Sequence, residues 1–449
     1  MSEVPSVVRQ APLSERLRGS PDPARWWVLA GVAGFAAVSY FDRVNISVTA
    51  ELMMPALGIT KMQMGEIFTS FLIGYAVFQL PGGMAGDRFG PRITLAASAL
   101  VWAAATCLTG LLPELLRSRV YAAFLALWGI RFVLGMAEAT TFPVANRVVR
   151  NWIEPSERAL GNAIVFLGTS FASATAGPLV SWLMLRIGWQ RTFYVASLPS
   201  VAIAILWYWL ARDRPPGRRE SPATKTSPPG TYNSADEDAG TETSIIQLLR
   251  QRNVLLLVIS YVSEGYVLFI FVFWLYIYLV ERRGFTIMRG GWASSLPWLM
   301  ALLISPLGGL ACDSIARSRG RLGGAKVVIM MGYALSGAAL FVAAYSASPW
   351  VSLLSLSLSI TFLMSAESSF WVSAAYLGGE RVGALSGVMN TAGIAGGIVS
   401  TLLVPVLTEH FGWLAAFGSG AIMALLCVVL ASALNEKIAC SGNRLTSPV

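Results

Sequence analysis

The stretch GGMAGDRFGPR, Gly82 to Arg92, sets a glycine pair, an Asp-Arg couple and a Gly-Pro-Arg turn between two long apolar runs. A partial copy, GGLACDSIARSR from Gly308 to Arg319, follows 226 positions later, so that Gly82 matches Gly308 and Asp87 matches Asp313. A second echo has nearly the same offset: GWQRTFY starts at Gly188 and GWLAAFG at Gly412, each at the turn before the last apolar run of its half. Two landmarks in register point to a duplicated unit. Close helix packing accounts for other glycine-rich stretches, Asn390 to Ser400 and Gly168 to Gly177, because small residues let helices approach in lipid. It does not account for the charges that close each glycine pair.

Outward from these landmarks the chain is apolar. Of its 449 residues 55% are hydrophobic and 13% charged, outside the usual range of soluble domains. Runs of about 20 apolar residues, each able to cross a hydrocarbon core roughly 30 Å thick as a helix, recur about twelve times. The expected fold is an all-α membrane protein with two pseudo-symmetric six-helix bundles, 26–212 and 246–434. The segment 213–245 is rich in Pro, Ser, Thr and charge, and reads as a disordered cytoplasmic linker. Residues 1–25 and 435–449 read as cytoplasmic tails.

The net charge is +9, with 33 Lys and Arg. The basic residues gather in segments on the side of the termini, among them Arg88, Arg92, Arg147, Arg150, Arg158, Arg317, Arg319 and Arg321. This positive-inside bias places both termini in the cytoplasm, with the helices in the plasma or inner membrane, and explains the charge without nucleic acid. The amino terminus has no basic start followed by an apolar core and cleavage site, so the first run is expected to act as an uncleaved anchor. Cys107, Cys312, Cys427 and Cys440 are too scattered to suggest a disulfide or a metal site. No nucleophile-base pair or phosphate-binding loop emerges, so neither an enzyme nor a cofactor is expected.

GGMAGDRFGPR resembles the loop 2–3 signature of the major facilitator superfamily, Gly-x-x-x-Asp-Arg-x-Gly-x-Arg, complete here as Gly83, Asp87, Arg88, Gly90 and Arg92. YFDRVNISVTAEL in the first run, FLIGYAVFQLPGGMAGDRFG through the second and RFVLGMAEA in the fourth are similar to its anion:cation symporter branch. That branch includes proton-coupled carriers of galactonate, glucarate and hexuronates, and animal carriers of sialic acid and glutamate. The resemblance covers nearly all of the chain except tails and linker, and its motifs are specific to the branch, not to a substrate. It implies the twelve-helix facilitator fold, with a site between parallel repeats near the midplane and alternating access by rocking. It also implies a cytoplasmic latch between the halves at Asp87, Arg88 and Arg92. Asp313 is a weaker second copy, because the following Arg and Gly are missing.

Four charges lie within the apolar runs of the first half: Asp42, Arg43, Arg131 and Glu138. Isolated, they would cost about 10 to 14 kcal/mol on insertion scales, so pairing or water access is required. Arg131 and Glu138, seven residues apart, share nearly one face of the fourth helix, whereas Asp42 and Arg43 diverge by about 100° on the first. The expected structural pair is Asp42 with Arg131, leaving Arg43 and Glu138. The planar fork of an arginine suits bidentate capture of a carboxylate, and the resemblance implies the same role for Arg43. Apolar surroundings favour the neutral form of a carboxyl, which makes Glu138 the first choice of proton carrier and Asp42, whose protonation would release Arg131, the second. His410 is the one histidine, so any proton coupling falls to carboxylates. A purely structural charge network is the competing reading.

Tyr75 and Gln79 fall one turn apart on the second helix. The resemblance places Tyr75, Trp371 and Asn390 in the substrate cavity, where an indole face and an amide suit a polyol. A core Trp and a packing Asn are the plainer readings. Glu264 and Glu367 depart from the branch, in which carriers of organophosphates or dicarboxylates often show a cation in the seventh helix. Intramembrane acids are functional candidates by default. An acidic second half disfavours phosphate and dianions, and suits a monocarboxylate with a hydroxyl-rich or amine-bearing far end, or a second proton site.

The resulting expectation is a monomeric secondary transporter that imports a small organic anion, a sugar acid or similar monocarboxylate, with protons. Its rivals are an organophosphate/phosphate exchanger or drug exporter of the same fold, and a transport-like membrane sensor, although neither tails nor linker resemble a signalling domain.

Overall fold

The computed structural model describes residues 24–116, 118–153, 157–213 and 245–435. The expected tails and linker, apart from their edge residues, and Cys440 lie outside these. Helix α1 is Ala24–Leu57. The next helical stretch, Lys61–Leu115, has 55 residues, about 80 Å at 1.5 Å per residue and far more than one crossing needs. Gly90, at φ 81° and ψ 157°, breaks it into α2 (61–89) and α3 (91–115). Helix α4 is Val120–Trp152, α5 Arg158–Ile187 and α6 Trp189–Leu210.

A short helix, Ile245–Leu249, precedes α7, Arg252–Ile277, which runs into a π-helical turn at Tyr278–Arg282. Helices α8 (Ile287–Arg319), α9 (Arg321–Tyr345) and α10 (Pro349–Gly378) follow. Val382–Ser432 is again two crossings, α11 (382–411) and α12 (413–432), divided at Gly412 with φ 76° and ψ 176°. Twelve helices thus form the two six-helix bundles of a facilitator fold.

The internal repeat extends to the backbone. Gly188, at φ 86° and ψ 160°, has the conformation of its partner Gly412. Gly90 has a counterpart in Gly320, at φ 76° and ψ 166°, which the sequence comparison missed because the spacing from Asp313 differs from that in the first copy. Left-handed extended backbone of this kind is readily adopted by glycine alone. At Gly90 space is also restricted, since a Cβ would lie 2.8 Å from the Asp213 carboxylate.

Helix α4 continues to Trp152 because its last part, Thr141–Trp152, is amphipathic and buries Val144, Val148, Val149 and Trp152. Glycines bring the site-bearing helices together. A Cβ on Gly135 of α4 would stand 2.1 Å from the Phe71 carbonyl oxygen of α2, and one on Gly265 of α7 would stand 1.7 Å from that of Gly393 on α11. Helices crossing this closely bring the side chains on their facing surfaces within reach of one another.

Among the described residues, the polar and aromatic contacts that join the halves cluster at the end remote from the chain termini. Ser47 Oγ of α1 donates to the Phe273 carbonyl of α7 at 2.9 Å, and the hydroxyls of Thr69 on α2 and Thr401 on α11 lie 2.7 Å apart. Phe68 stacks on Phe273 with ring centroids 4.5 Å apart, and Lys61 forms an ion pair with Glu281. Gly177 of α5 and Gly291 of α8 meet backbone to backbone. These contacts hold the halves together at that end.

Candidate functional site

The four charges of the first half come together in its interior, each no more than 5% exposed. Arg43 Nε donates to Glu138 Oε2 at 3.0 Å, and Ser39 Oγ donates to the same oxygen at 2.8 Å. Ser39 is one turn before Arg43 on α1, so both reach one carboxylate on α4. Aromatic faces enclose the guanidinium: Arg43 Cζ lies 4.7 Å from the Tyr40 ring centroid, 4.7 Å from that of Tyr75 and 5.2 Å from that of Phe71. Cation-π contacts of this kind hold a charge where water is scarce.

The expected pairing of Asp42 with Arg131 is corrected. Asp42 Oδ2 accepts from Thr106 Oγ1 at 3.3 Å, and Arg131 lies over Phe71, its Cζ 5.1 Å from the ring centroid. The two feel each other's charge but form no ion pair among the described residues. Helix periodicity gives the angle between Asp42 and Arg43 but not the rotation of α1 against α4, and packing turns Arg43 toward Glu138.

Buried polar atoms left without a protein partner include Arg43 Nη2, Glu138 Oε1, Asp42 Oδ1, and Nε and Nη2 of Arg131. Buried polar groups are normally satisfied, so this cluster has donors and acceptors to spare for a ligand. Arg43 in particular uses Nε on Glu138 and keeps Nη2 free. A side-on, two-bond grip on a carboxylate needs both.

Tyr75 is buried beside Arg43, and Gln79, half-buried, follows one turn along α2. In the other half, Trp371 is 37% exposed, not a core tryptophan. Its Nε1 donates to Glu367 Oε1 at 2.6 Å, and Tyr261 Oη donates to the same oxygen at 2.6 Å. Glu264 is 4% exposed on α7, in electrostatic contact with Glu367. Half-buried Asn390 lies one turn before Gly393, whose missing side chain leaves space for Tyr261 and Glu264. Tyr40, under the Arg43 guanidinium, also stands edge to face with Phe142 of α4, ring centroids 6.3 Å apart. Sequence reasoning missed Ser39, Tyr40, Phe71, Thr106 and Tyr261. Helical spacing from Arg43 and Glu264 was the signal available for Ser39, Tyr40 and Tyr261.

The signature residues make their contacts within the first half. Asp87 forms an ion pair with Arg147 of α4, and Arg88 extends over Phe89. Arg92 Nε donates to the Tyr208 carbonyl at 2.6 Å, and its backbone N–H donates to Asp213 Oδ1 at 2.8 Å. Gly83 packs against Pro143. Asp313 is exposed at the corresponding end of α8. Arg147 and Asp213 are therefore the partners that the signature alone did not reveal.

Residues 32–393 match the Major Facilitator Superfamily. The hexuronate transporter of Bacillus subtilis (strain 168) is 28% identical over 412 residues, covering 89% of this chain and 92% of the relative. The probable galactarate/D-glucarate transporter of the same organism is 28% identical over 425 residues, 92% of either chain. The D-galactonate transporter of Escherichia coli O6:H1 is 26% identical over 402 residues, 88% of this chain and 91% of the relative. A solved bacterial homologue of the human lysosomal transporter Spinster superimposes with a TM-score of 0.70 at 16% identity, covering 95% of this chain and all of the other, a likeness of fold. Two bundles related by an internal repeat, charges gathered inside them and a match across most of the chain lead to one assignment: the chain belongs to the Major Facilitator Superfamily, as a membrane transporter and not an enzyme.

Proposed function

We propose that this transporter imports a small organic anion, a sugar acid or similar monocarboxylate, together with protons. The observation that carries the reading is the Arg43–Glu138 pair, in which a buried cation suited to a carboxylate is held by a buried acid. Protonation of Glu138 removes the charge on its side of the pair and frees Arg43 Nε, so that Nε and Nη2 together grip the carboxylate of the substrate. Deprotonation restores the competitor and expels the substrate. Proton and anion are then bound together and released together. Relatives named for hexuronate, galactarate/D-glucarate and D-galactonate transport support an organic-acid cargo.

With the termini in the cytoplasm of a cell bearing the protein in its plasma membrane, the closed end faces outward and the structure is an inward-facing state. Asp87, Arg88 and Arg92 are then a latch in its released form, to engage the second half, with Asp313, when the inner ends close. Tyr75, Gln79, Trp371 and Asn390 line the substrate path, and Asp42 and Arg131 serve as a second charge couple that responds to the proton.

The test is uptake of a labelled six-carbon aldonate by liposomes containing the purified protein. Accumulation above equilibrium is expected when the interior is alkaline, and its loss when a protonophore collapses the gradient. Uptake indifferent to the gradient but dependent on internal phosphate would replace symport with exchange.

A further inference from the structure

The wall opposite Arg43 is acidic and has no compensating charge. Among the described residues no Arg, Lys or His forms an ion pair with Glu264 or Glu367. Glu367 places both of its donors, Tyr261 Oη and Trp371 Nε1, on Oε1, and its Oε2 is buried with no partner. Glu264 is 4% exposed, and among the described residues neither of its oxygens has a hydrogen-bond partner. Space beside it is secured by Gly393, where a Cβ would come within 2.8 Å of Tyr261 Cε1 and 3.5 Å of Glu264 Oε2. Tyr261 and Trp371 stand edge to face with centroids 6.2 Å apart, forming an aromatic corner beside the acids.

We propose that Glu264 and Glu367, framed by Tyr261 and Trp371, form an ammonium subsite, and that the preferred cargo is an organic acid bearing a primary amine at the end remote from its carboxylate. The inference rests on the proposed organic-anion reading, with Arg43 taking the carboxylate. Three acceptor oxygens face the site without donors, and a primary ammonium brings three N–H donors with the positive charge the pair lacks. The aromatic corner adds cation-π attraction. A single proton shared between the two carboxyls would engage two of the three oxygens and leave the third without a donor.

The closing experiment compares five- and six-carbon aldonates with analogues whose terminal hydroxyl is replaced by an amine, in liposomes containing the full-length protein. Each amine is expected to compete against a labelled aldonate at least tenfold better than its parent in the wild type, a comparison needing no variant. Glu264→Gln and Glu367→Gln should each bring that ratio near one. Parent aldonates transported with amines no better than equal would overturn the subsite and leave the organic-anion reading intact. An amine preference surviving both substitutions would overturn the residue assignment. Loss of gradient-driven aldonate uptake in either variant, with no amine preference in the wild type, would make the pair a proton site instead. Transport of neither series would overturn the organic-anion reading itself, and with it this inference.

Discussion

Replacing Glu138 by Gln imitates its protonated form and separates the two roles of the Arg43–Glu138 pair. The amide is nearly isosteric and can still accept from Ser39 and Arg43, so the fold has little reason to change. A hydrogen bond involving a charged group contributes about 1.5–3 kcal/mol, and because Arg43 stays charged, loss of the acid's charge moves the bond from the upper toward the lower end of that range. The competitor for Arg43 is therefore weakened by roughly 1–1.5 kcal/mol, which is about a 5- to 12-fold gain in affinity for the anion at alkaline pH. Wild-type binding should tighten as pH falls, because the proton removes the competing charge, whereas Glu138→Gln should bind tightly throughout and lose proton-driven accumulation. Calorimetric titration of the detergent-purified proteins from mildly acidic to mildly alkaline pH measures this. A Glu138→Gln protein that retains the wild-type pH dependence, or binds no tighter at alkaline pH, would refute the competition.

Other consequences follow from the closed end and the glycine turns. A Cβ on Gly65 would approach the Thr401 carbonyl oxygen to 2.4 Å, so Gly65→Val should hold the halves apart there and raise the reactivity of a cysteine placed at Ser47 several-fold over the same cysteine in the parent. Lys61→Ala removes an ion pair whose side chains are 31% and 25% exposed, and because such surface pairs contribute about 0–1 kcal/mol, the same labelling should rise at most about fivefold. Gly90→Ala forces an extended backbone with positive φ on a residue with a Cβ, at about 1–3 kcal/mol, and crowds Asp213, so the melting temperature should fall measurably. Gly129, where a Cβ would meet nothing within 4 Å, is the control for that substitution.

Much of the architecture was legible because lipid leaves few choices: runs long enough to span it must be helical, and the motifs at Gly82 and Gly308 mark the same corner of each half. The Gly90 and Gly412 turns were visible as breaks between apolar runs. Gly320 escaped because the spacing between acid and glycine changes between the copies, while the backbone restores the same turn. In the site, residue spacing told that Arg131 and Glu138 share a face, but not which arginine meets the acid, since that depends on how α1 rotates against α4. The Tyr261 bond to Glu367 joins helices far apart in sequence, whereas the Trp371 bond spans a single turn of α10. Closure at the end remote from the termini is a property of one conformational state, and a sequence that must support several states does not declare which is drawn.

The central claim is that the anion and the proton cross together through Arg43 and Glu138. Its most direct measurement is the internal pH of liposomes containing the protein, read with an enclosed dye as sugar acids, sugar phosphates and neutral sugars are added in turn. The account predicts acidification with sugar acids alone, abolished by Arg43→Ala and by Glu138→Gln. Contradiction would be an unchanged internal pH with every class while phosphate compounds exchange across the membrane.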